Sequence, residues 1–259
     1  MANKRLHDAA DRVFRTVQNA ARKEIEEDRE GTNVNDLLAH ANQLTDSVIR
    51  EVVDAEPTTG RPACCEGCAA CCHLHIVAFP VEVVAIAKEM RDQMSPEHLA
   101  DVIDRIDVHI ERTTGLDASE RRQIRLACPL LEAGRCAIYS FRPISCRGWN
   151  SLDRSACDAD LANPSANVTT PVNIGQYVLA GRVAEGLGAA SHSLGLDSRQ
   201  VDFVRALRIA MEATDTIARA WRSGLDVFGE SVNEKVFPGP QDSDQASARE
   251  ALWQNKDEE

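Results

Sequence analysis

The residues most able to do chemistry in this chain are its nine cysteines, and the first five of them lie close together. Cys65, Cys68 and Cys71 follow one another at intervals of three, and Cys72 comes directly after them. Two-residue spacers let consecutive thiolates turn toward one cation, and such pairs are typical of zinc sites. Iron–sulfur proteins use the same spacing for three corners of a cubane cluster. The spacing therefore predicts a metal–thiolate site and leaves the choice between zinc and iron open.

The remaining four cysteines are widely spaced. Cys128, Cys136, Cys146 and Cys157 are separated by seven, nine and ten residues, in a stretch without a sustained hydrophobic period. We expect each to come from a different loop, and these loops to gain much of their order from the metal. Cys128 precedes Pro129, and a distant Cys-Pro often supplies the fourth ligand of an iron–sulfur cluster. With the four named above, the chain has eight predicted ligands. They suffice for two tetrathiolate zinc sites, two cubanes, or one cluster with spare redox cysteines.

The cysteine pattern fits a metal site better than a disulfide framework. The number is odd, and Cys64-Cys65 and Cys71-Cys72 are adjacent pairs that bridge only through a strained ring. Residues 1–15 are charged throughout and lack the apolar stretch of an export signal. We therefore predict a cytoplasmic protein, because a reducing compartment keeps clustered thiols available for a metal.

The composition argues against two classes of partner. The 41 acidic residues outnumber the 29 basic ones and give a formal net charge of -12, whereas nucleic-acid binding needs a basic face. The longest apolar run, Ile76–Ala87, contains Pro80 and Glu82 and is far shorter than the ~20 residues of a membrane-spanning helix. We expect neither a nucleic acid nor a membrane among the partners, while a protein partner is left open.

Residues around the cysteines agree with a known pattern. The matching stretches are Cys65-x-x-Cys68-x-x-Cys71-Cys72, Cys128-Pro129-Leu130-Leu131, Cys136-Ala137-Ile138-Tyr139, Arg142-Pro143 and Cys146-Arg147. Over roughly residues 64 to 158 the chain resembles the CxxCxxCC (YkgJ-type) cysteine-cluster family. The resemblance implies chelation of zinc or iron. Flagellin lysine-N-methylases carry a related cysteine module, so the resemblance also implies a link to methyl transfer.

The chain departs from this pattern at three positions. Cys64 is an extra thiol, which we interpret as a spare thiol or a backup ligand, and His73 and His75 directly follow the first cysteines. The two histidines alternate along a stretch expected to be extended, so they would face opposite ways and would not easily both be ligands. A tetrathiolate site carries net negative charge that flanking arginines would neutralise. The candidates are Arg61, Arg135, Arg142 and Arg147.

The function predicted from these residues is binding of iron, possibly as an iron–sulfur cluster, or of zinc. A first alternative is a cluster-dependent redox or methyl-transfer enzyme, which needs an open coordination position or a substrate pocket beside the metal. A second alternative is a structural zinc module that presents its helices to a protein partner. Whether the protein is an enzyme is left open.

The segments that must position the cysteines are predicted to be helical. Aromatic residues make up only 4% of the chain, which suits packed helices better than a sandwich or barrel. Apolar stripes at helical spacing predict long helices, which begin at Pro80 and Ser95 and span residues 172–187 and 198–222. The expected fold class is mostly α, a helical domain wrapped around a loop-rich cysteine core. Its predicted parts are an N-terminal helical hairpin (1–56), the metal-binding domain (57–235) and a disordered acidic tail (236–259).

Overall fold

The computed structural model describes six stretches of the chain, residues 2–28, 33–55, 60–65, 67–116, 118–166 and 168–231. The fold of these stretches is mostly α, as the sequence predicted. The predicted acidic tail, residues 236–259, lies outside them. Among the helices of the described stretches, none combines the length and the apolar character needed to cross a membrane.

The helices range in length from 5 to 26 residues, and each strand has two residues. The helices are α1 (Ala2–Glu27), α2 (Val34–Ala55), α3 (Pro80–Gln93), α4 (Pro96–Thr113), α5 (Ala118–Gln123), α6 (Ile144–Gly148), α7 (Arg154–Ala162), α8 (Ile174–Ser193), α9 (Phe203–Glu212) and α10 (Thr214–Arg222). The strands are β1 (Val77–Ala78), β2 (Leu131–Glu132), β3 (Arg135–Cys136) and β4 (Val201–Asp202). β1 pairs antiparallel with β4, and β2 pairs antiparallel with β3.

Helix α3 forms the centre of the fold. Its residues from Val81 to Ala87 are buried on every side of the helix, including the charged residue Glu82. Pro80 begins the helix, because its fixed φ suits the first helical position and an amide there would have had no helical partner. A helix that is apolar nearly all round must be covered on all sides. Helices α2, α8, α9 and α10 provide that cover.

On one side of this centre, α8 packs against α1 and α2. Gly186 allows α8 and α1 to approach closely, because a Cβ at this position would lie 2.7 Å from the Cβ of Val17. Ile25 of α1 and Leu38 of α2 belong to the same hydrophobic core as α3. Both helices of the predicted N-terminal hairpin are present, and α1 packs mainly against α8. The boundaries between the three predicted domains stay a prediction.

On the other side, α9 packs against α3 and α4. The sequence predicted a single helix over residues 198–222, and this prediction was wrong. The chain is extended at β4, Asp202 caps the start of α9 with its side chain, and the backbone breaks at Ala213 with φ -152° and ψ 68°. Both α9 and α10 bury an apolar face, so the hydrophobic period continues across the break. The pattern alone therefore could not reveal it.

Candidate metal centre

The first group of cysteines lies on tight turns. The amide of Cys68 donates to the carbonyl of Cys65 over 3.0 Å, which closes the first turn. Gly67 has a φ of 78° in this turn, a conformation that residues with a Cβ rarely adopt. A 3-10 helix, Ala70–His73, then carries the next two cysteines. The two-residue spacers therefore produce compact turns, as their spacing led us to expect.

Three of the four cysteines of the second group lie in short regular elements, which corrects the prediction of a loop for them, whereas Cys128 lies in a connecting segment as predicted. Cys136 ends β3 of the β2–β3 hairpin, Cys146 lies in α6 and Cys157 lies in α7. Cys128 is tied directly to the first group, because its amide donates to the carbonyl of Cys72 over 2.7 Å. Helix α7 packs against the 3-10 helix of the first group. The fold thus brings the two cysteine groups into one region.

Four thiols occupy the interior of this region. We call Cys71, Cys128, Cys136 and Cys146 the inner thiols. Burial raises the pKa of Cys146 well above its ordinary value, and the charges of the other three raise it further. Burial also raises the pKa of Cys136 and brings that of Cys128 to about 12. A hydrogen bond with the thiol of Cys72 is the main cause of the raised pKa of Cys71. The sulfur atoms of both cysteine groups therefore lie within electrostatic range of one another.

Three further thiols form a second set, in which Cys64 is exposed and Cys68 and Cys157 are partly exposed. We call Cys64, Cys68 and Cys157 the outer thiols. Burial raises the pKa of Cys64, and the charges of Cys71 and the other two outer thiols add to this rise. Cys65 has a different environment, because its sulfur accepts a hydrogen bond from Nη1 of Arg154 over 3.5 Å. Cys71 therefore interacts with inner thiols and with the outer thiol Cys64.

Two arginines place positive charge near the thiols. The charge of Arg142 opposes the rise in pKa of three inner thiols, those of Cys71, Cys136 and Cys146. Its guanidinium lies 3.7 Å from the ring centroid of Tyr139, which fixes its position beside the site. Arg142 was among the arginines predicted for this role. Arg154 was missed, because it lies outside the motifs and only the packing of α7 brings it to the cysteines.

Two of the other arginines predicted to neutralise the site have different partners. Arg147 is buried and bonds to the side chains of Asn42 and Asp46, both at 2.9 Å, so it joins α6 to α2. Arg61 pairs with Asp54 at 3.4 Å, and both side chains are exposed. Arg147 therefore holds α6, and with it Cys146, against α2, and its charge is paired with Asp46 instead of with the thiols.

A buried carboxylate fixes the start of helix α6. Glu82 of α3 is 1% exposed. Its Oε1 accepts the amide of Ile144 at 2.9 Å, and its Oε2 accepts the amide of Phe79 at 3.0 Å. Burial raises the pKa of Glu82, although the two amide bonds oppose the rise. The bond between Glu82 and Ile144 joins residues 62 positions apart, and it places α6, with Cys146, against the centre of the fold.

A buried ion pair fixes the chain just after the first cysteine group. Nε2 of His75 lies 2.9 Å from Oδ2 of Asp202, and the two side chains are 5% and 4% exposed. Nη2 of Arg121 lies 3.9 Å from the same oxygen. Burial alone would raise the pKa of Asp202, but the hydrogen bond and charge of His75, helped by Arg121, lower it. The other histidine, His73, contacts the carbonyl of Ala69 through Nδ1 at 3.1 Å. The two histidines thus have separate partners.

His109 holds the chain just before Cys128 and makes the stability of the fold pH-dependent. Its Nδ1 lies 3.2 Å from the carbonyl of Ala127, and its buried Nε2 has no hydrogen-bond partner in the described residues. Burial and the charge of Arg121 lower the pKa of His109 from 6.5. The unfolded chain therefore binds this proton more readily than the folded one, so the contribution of His109 to stability is lost as the pH falls below 6.5.

Replacing His109 with asparagine is expected to reduce this loss of stability in acid. Asparagine keeps an N–H donor for the Ala127 carbonyl and does not titrate. Urea unfolding at about pH 7.5 and about pH 5.5 measures the effect, since these values bracket the histidine range. The exposed His192, changed to asparagine, is the matched control and should leave the pH dependence as in the wild type. If the variant lost as much stability as the wild type between the two pH values, His109 would not be the source of the pH dependence.

The donor set fits zinc or iron chemically. All nine cysteines are free thiols, and sulfur is a ligand that both zinc and iron–sulfur clusters accept. The inner thiols raise one another's pKa through their negative charge, and a bound cation relieves such repulsion. Within the described residues, however, no three of the His, Cys, Asp and Glu side chains are arranged so that they could hold a metal ion as they stand. The ligand set therefore stays a proposal.

Comparison with known families agrees with the geometry. Residues 64–162 match the family model CxxCxxCC, whose description is "putative zinc- or iron-chelating domain". The matched stretch begins at the extra cysteine and ends with α7, so it contains all nine cysteines. No curated protein and no solved structure matches the chain.

Proposed function

We propose that residues 64–162 chelate zinc or iron in the cytoplasm through thiolates of both cysteine groups. The observation that carries the proposal is the 2.7 Å hydrogen bond from the amide of Cys128 to the carbonyl of Cys72, which joins the second cysteine group to the first. The eight cysteines predicted from the sequence are the starting ligand set. The nine free thiols support a reducing compartment.

The charges around the thiols support cation binding. Thiols must lose their protons to bind a metal, and a site of four thiolates around one divalent ion is left with net negative charge. Arg142 stands beside the inner thiols and Arg154 beside Cys65, so two guanidinium groups lie near the predicted ligands. When bound, the metal would hold the thiolates in their deprotonated form. The arginines would stabilise the remaining charge.

Metal analysis and absorption spectra of the full chain, purified without oxygen, test the proposal. We expect stoichiometric iron with thiolate charge-transfer absorbance, or stoichiometric zinc in a colourless protein. Cys71→Ser is expected to lose more metal than Cys136→Ser. The reason is that Cys71 interacts with inner thiols and with the outer thiol Cys64, whereas Cys136 interacts with inner thiols. Circular dichroism confirms that both variants fold. A wild-type protein that contains neither metal and takes up neither from solution would refute the proposal.

A further inference from the structure

A cavity of about 300 Å³ opens where the end of α1, the start of α2 and the end of α10 meet. Its lining residues lie between positions 24 and 40 and at positions 221 and 222, outside the stretch that holds the cysteines. Ligand pockets in proteins begin at about this size, so the space suits a small molecule. The N-terminal helices therefore contribute to a candidate ligand site that is separate from the metal centre.

The floor of the cavity is apolar. It is lined by Ile25 of α1 and by Val34 and Leu37 of α2, which are at most 5% exposed. Trp221 of α10 also lines the cavity, and its Nε1 donates to the carbonyl of Asp197 at 3.1 Å. Because this bond satisfies the polar atom of the ring system, Trp221 offers the cavity only carbon. Covering an apolar floor with a hydrocarbon group is favourable, so a ligand that fits the cavity carries one.

The rim of the cavity is negatively charged. Its four carboxylates belong to Glu24, Glu27, Asp28 and Asp36. Arg222 also lines the cavity, but its guanidinium donates to the carbonyls of Ile25 and Asp28. Arg222 thereby satisfies the C-terminal end of α1, which has no basic residue in its last turn. Four carboxylates beside one guanidinium leave the rim with net negative charge.

The partners of the rim carboxylates are weakly held and leave room for a further cation. Oε2 of Glu24 lies 3.1 Å from Nδ1 of His40, whose side chain is 61% exposed. Glu27 pairs with Lys23 at 3.8 Å, and both of these side chains are exposed. Exposed ion pairs contribute little to stability, so a ligand that brings its own positive charge can compete for these carboxylates.

The cavity favours an organic cation over a metal ion. Within the described residues, no three of the His, Cys, Asp and Glu side chains are placed to hold a metal ion, so the rim does not close around a single inorganic cation. An ammonium group on a hydrocarbon chain suits both parts of the cavity, because its N–H groups donate to carboxylates and its chain covers the floor. We propose that this cavity binds a small aliphatic amine in its ammonium form. Binding is noncovalent and does not depend on the proposed chelation.

Calorimetric titration of the full chain with 1,5-diaminopentane tests the inference. We expect one molecule to bind per chain, with an affinity that falls as salt is raised from about 20 to about 200 mM, because the rim is exposed to solvent. 1,5-Pentanediol has the same chain without the charge, and ammonium chloride has the charge without the chain. Neither should bind detectably, and a diol that bound as tightly as the diamine would overturn the inference.

Two variants separate the cavity from the charge of the whole protein. Glu24→Gln removes one rim charge and keeps the length of the side chain, so it should weaken diamine binding about 10-fold, the lower end for a hydrogen bond to a charged group. Asp104→Asn, on the exposed face of α4, is the matched control and should bind as the wild type does. Circular dichroism confirms that the three proteins fold alike. Equal weakening in both variants would show that the amine follows the net charge of -12 and would overturn the inference.

Nuclear Overhauser effects locate the bound amine without a variant. We expect them between the methylene protons of the diamine and the methyl groups of Val34 and Leu37, which lie in the floor. Contacts confined to methyl groups elsewhere, or no binding up to about 10 mM diamine, would overturn the inference. Both results would leave the proposed chelation intact, because the cavity lies outside residues 64–162. A chain that binds the diamine but neither zinc nor iron would refute the proposed function and support the cavity.

Discussion

Replacing Glu82 with alanine is expected to lower the free energy of unfolding by about 2–4 kcal/mol, because each buried amide left without a partner costs about 1–3 kcal/mol. The two amides are those of Phe79 and Ile144, which bond to the Glu82 carboxylate at 3.0 and 2.9 Å. Relief of the buried carboxyl group offsets part of the loss. Urea unfolding of the full chain, followed by circular dichroism, measures the change.

Glu89 provides the matched control on the same helix. Its carboxylate accepts hydrogen bonds from the side chains of Asn35 and Gln93 and bonds to no backbone amide in the described residues. Glu89→Ala should therefore cost no more than about 1 kcal/mol, the net contribution of a side-chain hydrogen bond, because it leaves no backbone amide without a partner. Similar losses in the two variants would show that the Glu82 contacts do not hold α6 in place.

The sequence predicted the parts of the fold whose signal is local. The amphipathic stripes of α1, α2 and α4 and the proline at the start of α3 located those helices. The turns of the first cysteine group also follow from their spacing, because two-residue spacers leave few backbone conformations. These features depend on neighbours in the chain, so a pattern in the sequence is sufficient to reveal them.

The features that sequence patterns missed depend on contacts between distant residues. His75 and Asp202 are 127 positions apart, and Glu82 and the amide of Ile144 are 62 positions apart. Arg154 reaches Cys65 only because α7 packs against the first cysteine group. A single sequence contains no signal for such pairs. The roles as a cluster-dependent enzyme or as a structural module for a protein partner stay predictions.

Polar contacts attach the cysteine region to the helical centre, in addition to the apolar packing of Leu130, Ile138 and Ile144 in the core. His75 and Asp202 hold the chain after the first group, and Glu82 holds α6. Nε of Arg105 bonds to the carbonyl of Pro129 at 2.8 Å, next to Cys128. Such contacts are directional, so they fix where the thiols stand more closely than apolar packing alone. The helical centre thus contributes to the order that we expected to come in large part from the metal.

Replacing Gly148 with alanine is expected to destabilise the fold by about 1–3 kcal/mol, the usual cost of overpacking a close contact. Gly148 ends α6 and lies two residues after Cys146. A Cβ at this position would stand 2.4 Å from the Cβ of Ala180 on α8, and both atoms are attached directly to helix backbones. The two helices must therefore move apart, which should also weaken cobalt(II) binding. Urea unfolding measures the first effect, and titration with cobalt(II), whose thiolate charge-transfer absorbance reports bound sulfur, measures the second.

Gly181 is the control, because it adjoins Ala180 on the same helix but has different surroundings. A Cβ at Gly181 would meet no atom within 4 Å. Gly181→Ala should therefore stabilise the protein by about 0.5–1 kcal/mol, the gain from replacing glycine inside a helix. The same substitution is thus expected to lower the free energy of unfolding at Gly148 and to raise it at Gly181. If Gly148→Ala also stabilised the protein and left cobalt binding unchanged, the close contact between α6 and α8 would not be what positions Cys146.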